Sequence, residues 1–197
     1  NDYRVEYGHP AREGDPAPRI PDAPAVKLEY VSFAYDRDHP ILSDVSLTIE
    51  PGQAAALVGE NGAGKTTIAN IILGLLPCDG VAETFGRNAF EARTRGITDS
   101  VAVLQDFGRY DGMTLRENLG FGDTVDASRL SEFDGFFSGR DYSAIVGDKF
   151  GGQSFSGGEW QRIALARCTL SSADIMILDE PTAALDPMAE VDVFQNF

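Results

Sequence analysis

The sequence predicts an α/β fold built on a mostly parallel sheet, with an antiparallel β subdomain at the N-terminus and an inserted α-helical subdomain. Three stretches predict it. The first is Gly59-Glu60-Asn61-Gly62-Ala63-Gly64-Lys65-Thr66-Thr67, which fits G-x-x-x-x-G-K-[ST]. It stands between an apolar run of strand length, Ala54-Ala55-Ala56-Leu57-Val58, and a run at helical spacing, Ile68-Ala69-Asn70-Ile71-Ile72-Leu73. The second is Asp174-Ile175-Met176-Ile177-Leu178-Asp179-Glu180, in which consecutive apolar residues run into two carboxylates. A strand of that kind is covered on both faces, as in a parallel sheet. The third is alternation: Val26, Leu28 and Tyr30, then Val45, Leu47 and Ile49, are separated by polar neighbours and followed by a Pro51-Gly52 turn.

Taken in order, residues 1 to 24 read as a linker, since Pro10, Pro16, Pro18, Pro21 and Pro24 lie among Ala, Asp, Glu and Arg, a composition that cannot bury a core. The chain does not begin with methionine, which points to a segment before it. A folded domain is expected over residues 25 to 197, opening with the antiparallel strands. In the loop at 59 to 67, Gly59, Gly62 and Gly64 place no side chain in the way of close backbone approach. Successive N–H groups can therefore converge on an anion at the positive end of the following helix. Lys65 adds a full charge, and the Thr66 hydroxyl can reach a magnesium ion. The bland alternative is a glycine-rich turn that happens to hold a lysine; the strand and helix on either side count against it.

Gly74 and Pro77 are stop signals for the helix, and a short β piece is expected around Val81 to Phe85. Ser100-Val101-Ala102-Val103-Leu104 is a further strand that ends in Gln105-Asp106-Phe107, at the carboxyl edge where α/β folds bind ligands. The helical subdomain spans about 107 to 170, with helices around Leu115 to Leu119 and Ala127 to Phe137. Within it, Gly151-Gly152-Gln153-Ser154-Phe155-Ser156-Gly157-Gly158-Glu159 opens a helix on which Trp160, Ile163, Ala164, Arg167 and Cys168 share a face. That makes a second anion-ready helix start, although Ser-Gly-Gly alone is more often a flexible cap. In the last strand, Asp179 can hold magnesium and Glu180 can orient or deprotonate a water; a solvated acidic turn is the plain alternative.

Composition bounds the function. The 197 residues are 43% hydrophobic and carry a formal net charge of -15 at a pI near 4.4. No run of Lys and Arg offers a nucleic-acid surface, so nucleic acid is excluded as a partner. The longest apolar run, Ile71 to Pro77, is far short of the roughly 20 residues that span a bilayer. Cys78 and Cys168 have neither C-x-x-C nor zinc-ligand spacing and read as free thiols of a reducing compartment.

Gly59 to Thr67, Gln105, Ser156-Gly157-Gly158-Glu159 and Ile175 to Glu180 occur in the order and context of an ATP-binding cassette (ABC) ATPase, and from about Ala25 onward the chain resembles that family. The resemblance implies a P-loop NTPase core that takes ATP and Mg2+. It makes Gly59, Glu60, Asn61, Gly62, Ala63, Gly64, Lys65, Thr66 and Thr67 the Walker A loop, and Ser156 to Glu159 a signature that acts on the ATP of a second chain. Magnesium falls to Thr66, Gln105 and Asp179, and catalysis to Glu180, Lys65 and Gln105. Tyr35 falls where the family stacks an aromatic on adenine, with a tyrosine at a strand end as the alternative. Asp186, in Ala184-Leu185-Asp186, looks like the D-loop.

Gln105-Asp106-Phe107 followed by Thr114-Leu115-Arg116-Glu117-Asn118, together with Glu159-Trp160, are similar to bacterial peptide and bacteriocin-type exporters. The expected partners are thus a transmembrane domain, upstream in the same polypeptide, and a second ATPase domain in a head-to-tail dimer. The expected location is the cytoplasmic face of the cell membrane. Phe155 and Glu159 depart from the family's usual leucine and glutamine. The family's switch histidine has no counterpart among the 17 residues after Glu180, so a shortened chain lacking a central strand is expected. The competing readings are a nucleotide-binding module with little or no catalysis and a soluble ABC ATPase outside transport.

Overall fold

The computed structural model describes residues 19–36, 38–97, 99–103, 108–120, 127–131 and 133–179. They form two compact units that divide after Ser100.

The first unit is organised on a four-stranded antiparallel sheet of order β2-β1-β3-β4, with β1 at Val26–Asp36, β2 at His39–Ile49, β3 at Asp79–Thr84 and β4 at Arg87–Asn88. The alternation expected of β1 holds for Val26 and Leu28, which are buried, and then slips. Val31 is fully buried, and Tyr30 is 72% exposed with φ 51°. The cause is an irregularity in the pairing between Leu28 and Val31, which moves the inward position by one residue. Serines take up the freed backbone donors: Tyr30 N–H donates to Ser46 Oγ and Asp44 N–H to Ser32 Oγ, each at 3.0 Å.

Helix α1 (Lys65–Ile72) lies against β3 and ends as the sequence predicts. Leu75 N–H donates to Asn70 O at 2.8 Å while Gly74 takes φ 68°, a left-handed cap. A Cβ on Gly74 would stand 2.3 Å from Ala89 O, so this glycine also permits the close approach of α2 (Ala89–Thr94). Helix α2 was not expected from apolar periodicity. Its start is set by Asn88, whose side chain accepts from Glu91 N–H at 3.0 Å.

Residues 54–58 form no strand, Leu57 is 42% exposed and Val58 94% exposed. The apolar run before the glycine loop is therefore a strand in composition only. A central parallel strand needs hydrogen-bonding neighbours on both sides, and among the described residues no strand pairs with it.

The second unit holds helices α3 (Leu115–Gly120), α4 (Ala127–Ser131) and α5 (Gly157–Leu170) and strand β6 (Ile175–Leu178), which pairs with β5 (Ser100–Val103). Asp179 N–H donates to Val103 O at 2.9 Å, so the C-terminal ends of β5 and β6 meet and the strands run in the same direction. The helix expected over 127–137 stops at Ser131. Residues 133–139 are turns, closed by bonds such as Phe136 N–H to Phe133 O at 2.9 Å and Arg140 N–H to Phe137 O at 2.9 Å. Phe133 and Phe137 are nevertheless buried with Leu115, Leu119, Trp160 and Ile163. Helix α5 is buried on more than the one expected face, since Leu165 and Ala166 are inside with Ile163, Ala164 and Cys168. β6 is less covered than its run of apolar residues suggests, with Met176 40% exposed; β5 is its one partner among the described strands.

Candidate functional site

The glycine loop turns at Gly62 and Gly64, with φ 84° and 89°, a region that costs a residue bearing a Cβ on the order of 1 kcal/mol. At Gly64 space adds to the requirement, because a Cβ would stand 2.7 Å from Leu42 Cδ2. Gly64 is the N-cap of α1, and no side chain caps that helix. The positive end of α1 thus follows directly on the loop, an arrangement that receives an anion. Ala63 N–H donates to Glu60 O at 3.2 Å and closes the turn. Lys65 Nζ folds back to donate to Gly59 O and Glu60 O, 2.9 Å each. Both acceptors are neutral, and phosphate oxygens are stronger acceptors for an ammonium. Thr66 is exposed and Thr67 buried. Tyr35, also in this unit, is 60% exposed and meets Phe33 edge to face, ring centroids 4.8 Å apart.

In the second unit, Ser156 caps α5. Its Oγ accepts from Glu159 N–H at 3.3 Å, and Glu159 Oε2 accepts from Ser156 N–H at 2.8 Å, the reciprocal capping box. The two departures from the family pattern are joined by one residue that the sequence did not single out. Arg140 donates from Nε to Glu159 Oε1 at 3.0 Å, with Nη2 on the same oxygen, and its guanidinium lies 4.5 Å from the centroid of Phe155. Phe155 packs in turn on Trp160, centroids 5.9 Å apart. Burial works against the charge on Glu159, but the Ser156 N–H and the Arg140 guanidinium outweigh it and hold the carboxyl below the usual carboxylate range. No spacing rule links residue 140 to residue 159; the signal was the acid at 159, which asks for a counter-charge.

Further along α5, Arg167 donates to Asn118 O at 2.6 Å, Gly108 O at 2.6 Å and Asn118 Oδ1 at 2.7 Å, over the Tyr110 ring. It ties the helix to the segment after residue 107. Thr114 and Glu117 form a second capping box at the start of α3. Asp179 follows β6 directly. Gln105, Glu180 and Asp186 lie outside the described residues. Each unit is thus seen to assemble its own loop, Lys65 with Gly59 and Glu60 in one and Ser156 with Glu159 in the other.

The donor set fits a nucleotide and its metal. The backbone donors at Gly64 and the Lys65 ammonium suit phosphate oxygens. The Thr66 hydroxyl of the first unit and the Asp179 carboxylate of the second are each a hard oxygen donor of the kind magnesium takes. Among the described residues no group of three or more His, Cys, Asp or Glu could hold a metal unaided.

Residues 42–183 match the family described as "ABC transporter". The chain belongs to the ABC transporter family. It is similar to the subtilin transport ATP-binding protein of Bacillus subtilis, 34% identical over 98% of this chain and 34% of that protein. It is also similar to the mycobactin import ATP-binding/permease protein of Mycolicibacterium smegmatis, 36% identical over 91% of this chain and 33% of the relative. A solved structure, a bacterial Atm1-family ABC exporter with ATP bound, superimposes with a TM-score of 0.72 at 28% identity, over 92% of this chain and 34% of that one. The chain therefore spans about a third of the length of the ABC transporter proteins it matches, and its fold is that of an ABC exporter's ATPase part.

Proposed function

We propose that this chain is the ATP-binding and ATP-hydrolysing domain of an ABC exporter, acting at the cytoplasmic face of a membrane on behalf of a transmembrane domain. The observation that carries the reading is the loop 59–67 inside the family match, with its uncapped helix start and Lys65 resting on two carbonyls. On binding, the Lys65 ammonium exchanges those carbonyls for β- and γ-phosphate oxygens, and the loop N–H groups take the remaining negative charge. Tyr35 offers an exposed ring to adenine. Thr66, Gln105 and Asp179 would hold a magnesium ion, which would supply charge neutralisation on the phosphates. Glu180 orients and polarises the attacking water, and Ser156 with the α5 N-terminus closes the site of a second copy in a head-to-tail pair.

Permease-fused relatives support a membrane partner, and one of them is named for import; the export direction rests on Gln105-Asp106-Phe107 and on likeness to the Atm1-family exporter. No helix among the described residues is long and apolar enough to cross a membrane. In the protein encoded by the full reading frame, Glu180→Gln retains ATP binding and loses turnover by about a hundredfold or more, whereas Lys65→Ala loses binding itself. Undiminished hydrolysis by Glu180→Gln removes Glu180 from the catalytic role.

A second reading, a nucleotide-binding module with little catalysis, is favoured by the exposure of Leu57 and Val58 just before the loop. ATP binding and phosphate release measured on one sample distinguish the two.

A further inference from the structure

We propose that Arg140 is a positioning residue that neutralises Glu159 and thereby keeps the Ser156 helix start fit to receive a nucleotide phosphate. The inference rests on the exporter-ATPase reading above.

An acid in the first turn of a helix suits the helix itself, and here it also completes the capping box with Ser156. The same carboxylate is a liability to a site that has to accept polyanionic phosphate, because it puts a negative charge one turn from the groups that should attract the ligand. Arg140 answers both demands. It places two N–H donors on Glu159 Oε1, on the side away from the Ser156 N–H, which goes to Oε2. Ser156 Oγ accepts from Glu159 N–H, which leaves the hydroxyl hydrogen to donate. The pair is only partly exposed, with side chains at 28% and 24%, so solvent screens it less than an open surface pair. Stacking of the guanidinium on Phe155, which itself rests on Trp160, fixes Arg140 from a second direction. The unusual Phe155 and the unusual Glu159 are thus one device, and Arg140 is the residue that makes them compatible with the site.

The test is steady-state ATP hydrolysis by the full-length membrane protein, with KM and kcat separated and thermal unfolding followed on each variant. Arg140→Gln should raise KM for ATP about fivefold or more with little change in kcat, and the rise should shrink in high salt. The double variant Arg140→Gln/Glu159→Gln should bring KM back within about twofold of the parent, and Arg140→Lys, which keeps the charge, should stay near the parent. If Arg140→Gln fails to fold, the double variant and Arg140→Lys still carry the comparison. A double variant as impaired as Arg140→Gln, or a KM for Arg140→Lys raised as far as for the glutamine, shows that Arg140 merely holds the fold together and overturns the proposal. A parent protein without any ATP turnover overturns the exporter-ATPase reading and this proposal with it, and it is told apart by needing no variant.

Discussion

Cys168 shows how burial turns an ordinary side chain into a pH-dependent one. It is 3% exposed on α5, packed with Val103, Ala164 and Leu165, and burial pushes its thiol from 9.0 up to about 11, slightly opposed by Arg167 alongside. Below pH 9 the thiol is protonated in both the folded and the unfolded chain, so its full contribution to stability is present. Between pH 9 and about 11 the unfolded chain releases the proton and the folded one does not, and stability falls by on the order of 2 kcal/mol. Urea unfolding across that range should show the decline, and Cys168→Ala should make it shallower, most clearly between pH 9 and 10. A residual loss is expected between pH 10 and about 12, where the unfolded chain releases the Tyr142 proton and the folded one, in which burial and the hydrogen bond to Asp134 raise the hydroxyl, keeps it. An unchanged slope in the alanine variant would contradict the burial account. The sequence marks Cys168 as an inward-facing thiol by its spacing on the helix. It does not show that the neighbours exclude water.

At the scale of elements, α5 is the piece around which the second unit is built. Its hydrophobic residues pack with those of α3, while Arg167 supplies the polar part of the same junction. Asn118 is fully buried and also donates to Tyr110 O at 2.9 Å and Thr114 O at 3.1 Å, so loss of the guanidinium strands Asn118 Oδ1 inside the unit. Arg167→Met should therefore cost about 2–4 kcal/mol in chemical denaturation, and a cost below about 1 kcal/mol would mean that water replaces the lost donors. Where elements start was readable from local chemistry: Thr114-x-x-Glu117 and Ser156-x-x-Glu159 both cap helices. Where they stop was less so. The helix expected to reach Phe137 ends at Ser131, since buried phenylalanines are satisfied by turns as well as by helix. Apolar composition at 54–58 likewise predicts a strand without its neighbours.

At the scale of the whole molecule, the proposed head-to-tail pair makes each ATP site depend on two chains. Lys65→Ala and Ser156→Arg variants should each be inactive alone, and co-expression should restore roughly a quarter of the parental turnover, since half the pairs are mixed and each mixed pair has one complete site. ATPase measurement on the purified mixture checks this. No recovery would assign both residues to one chain's site.

The sequence by itself determined the chemistry and its local settings. The glycine loop, the lysine, both capping boxes and the acidic strand end are words of a few adjacent residues. Their backbone needs, positive φ at Gly62 and Gly64 or an oxygen three residues from its N–H, are met within the same few positions. Tertiary structure decided what lies far apart in the chain: Val31 rather than Tyr30 inward, Arg140 on Glu159 across 19 residues, and Arg167 on Gly108 across 59. Periodicity reports that a side chain faces a partner. Which partner depends on the packing of distant segments, whose free energy is set only when the chain has folded.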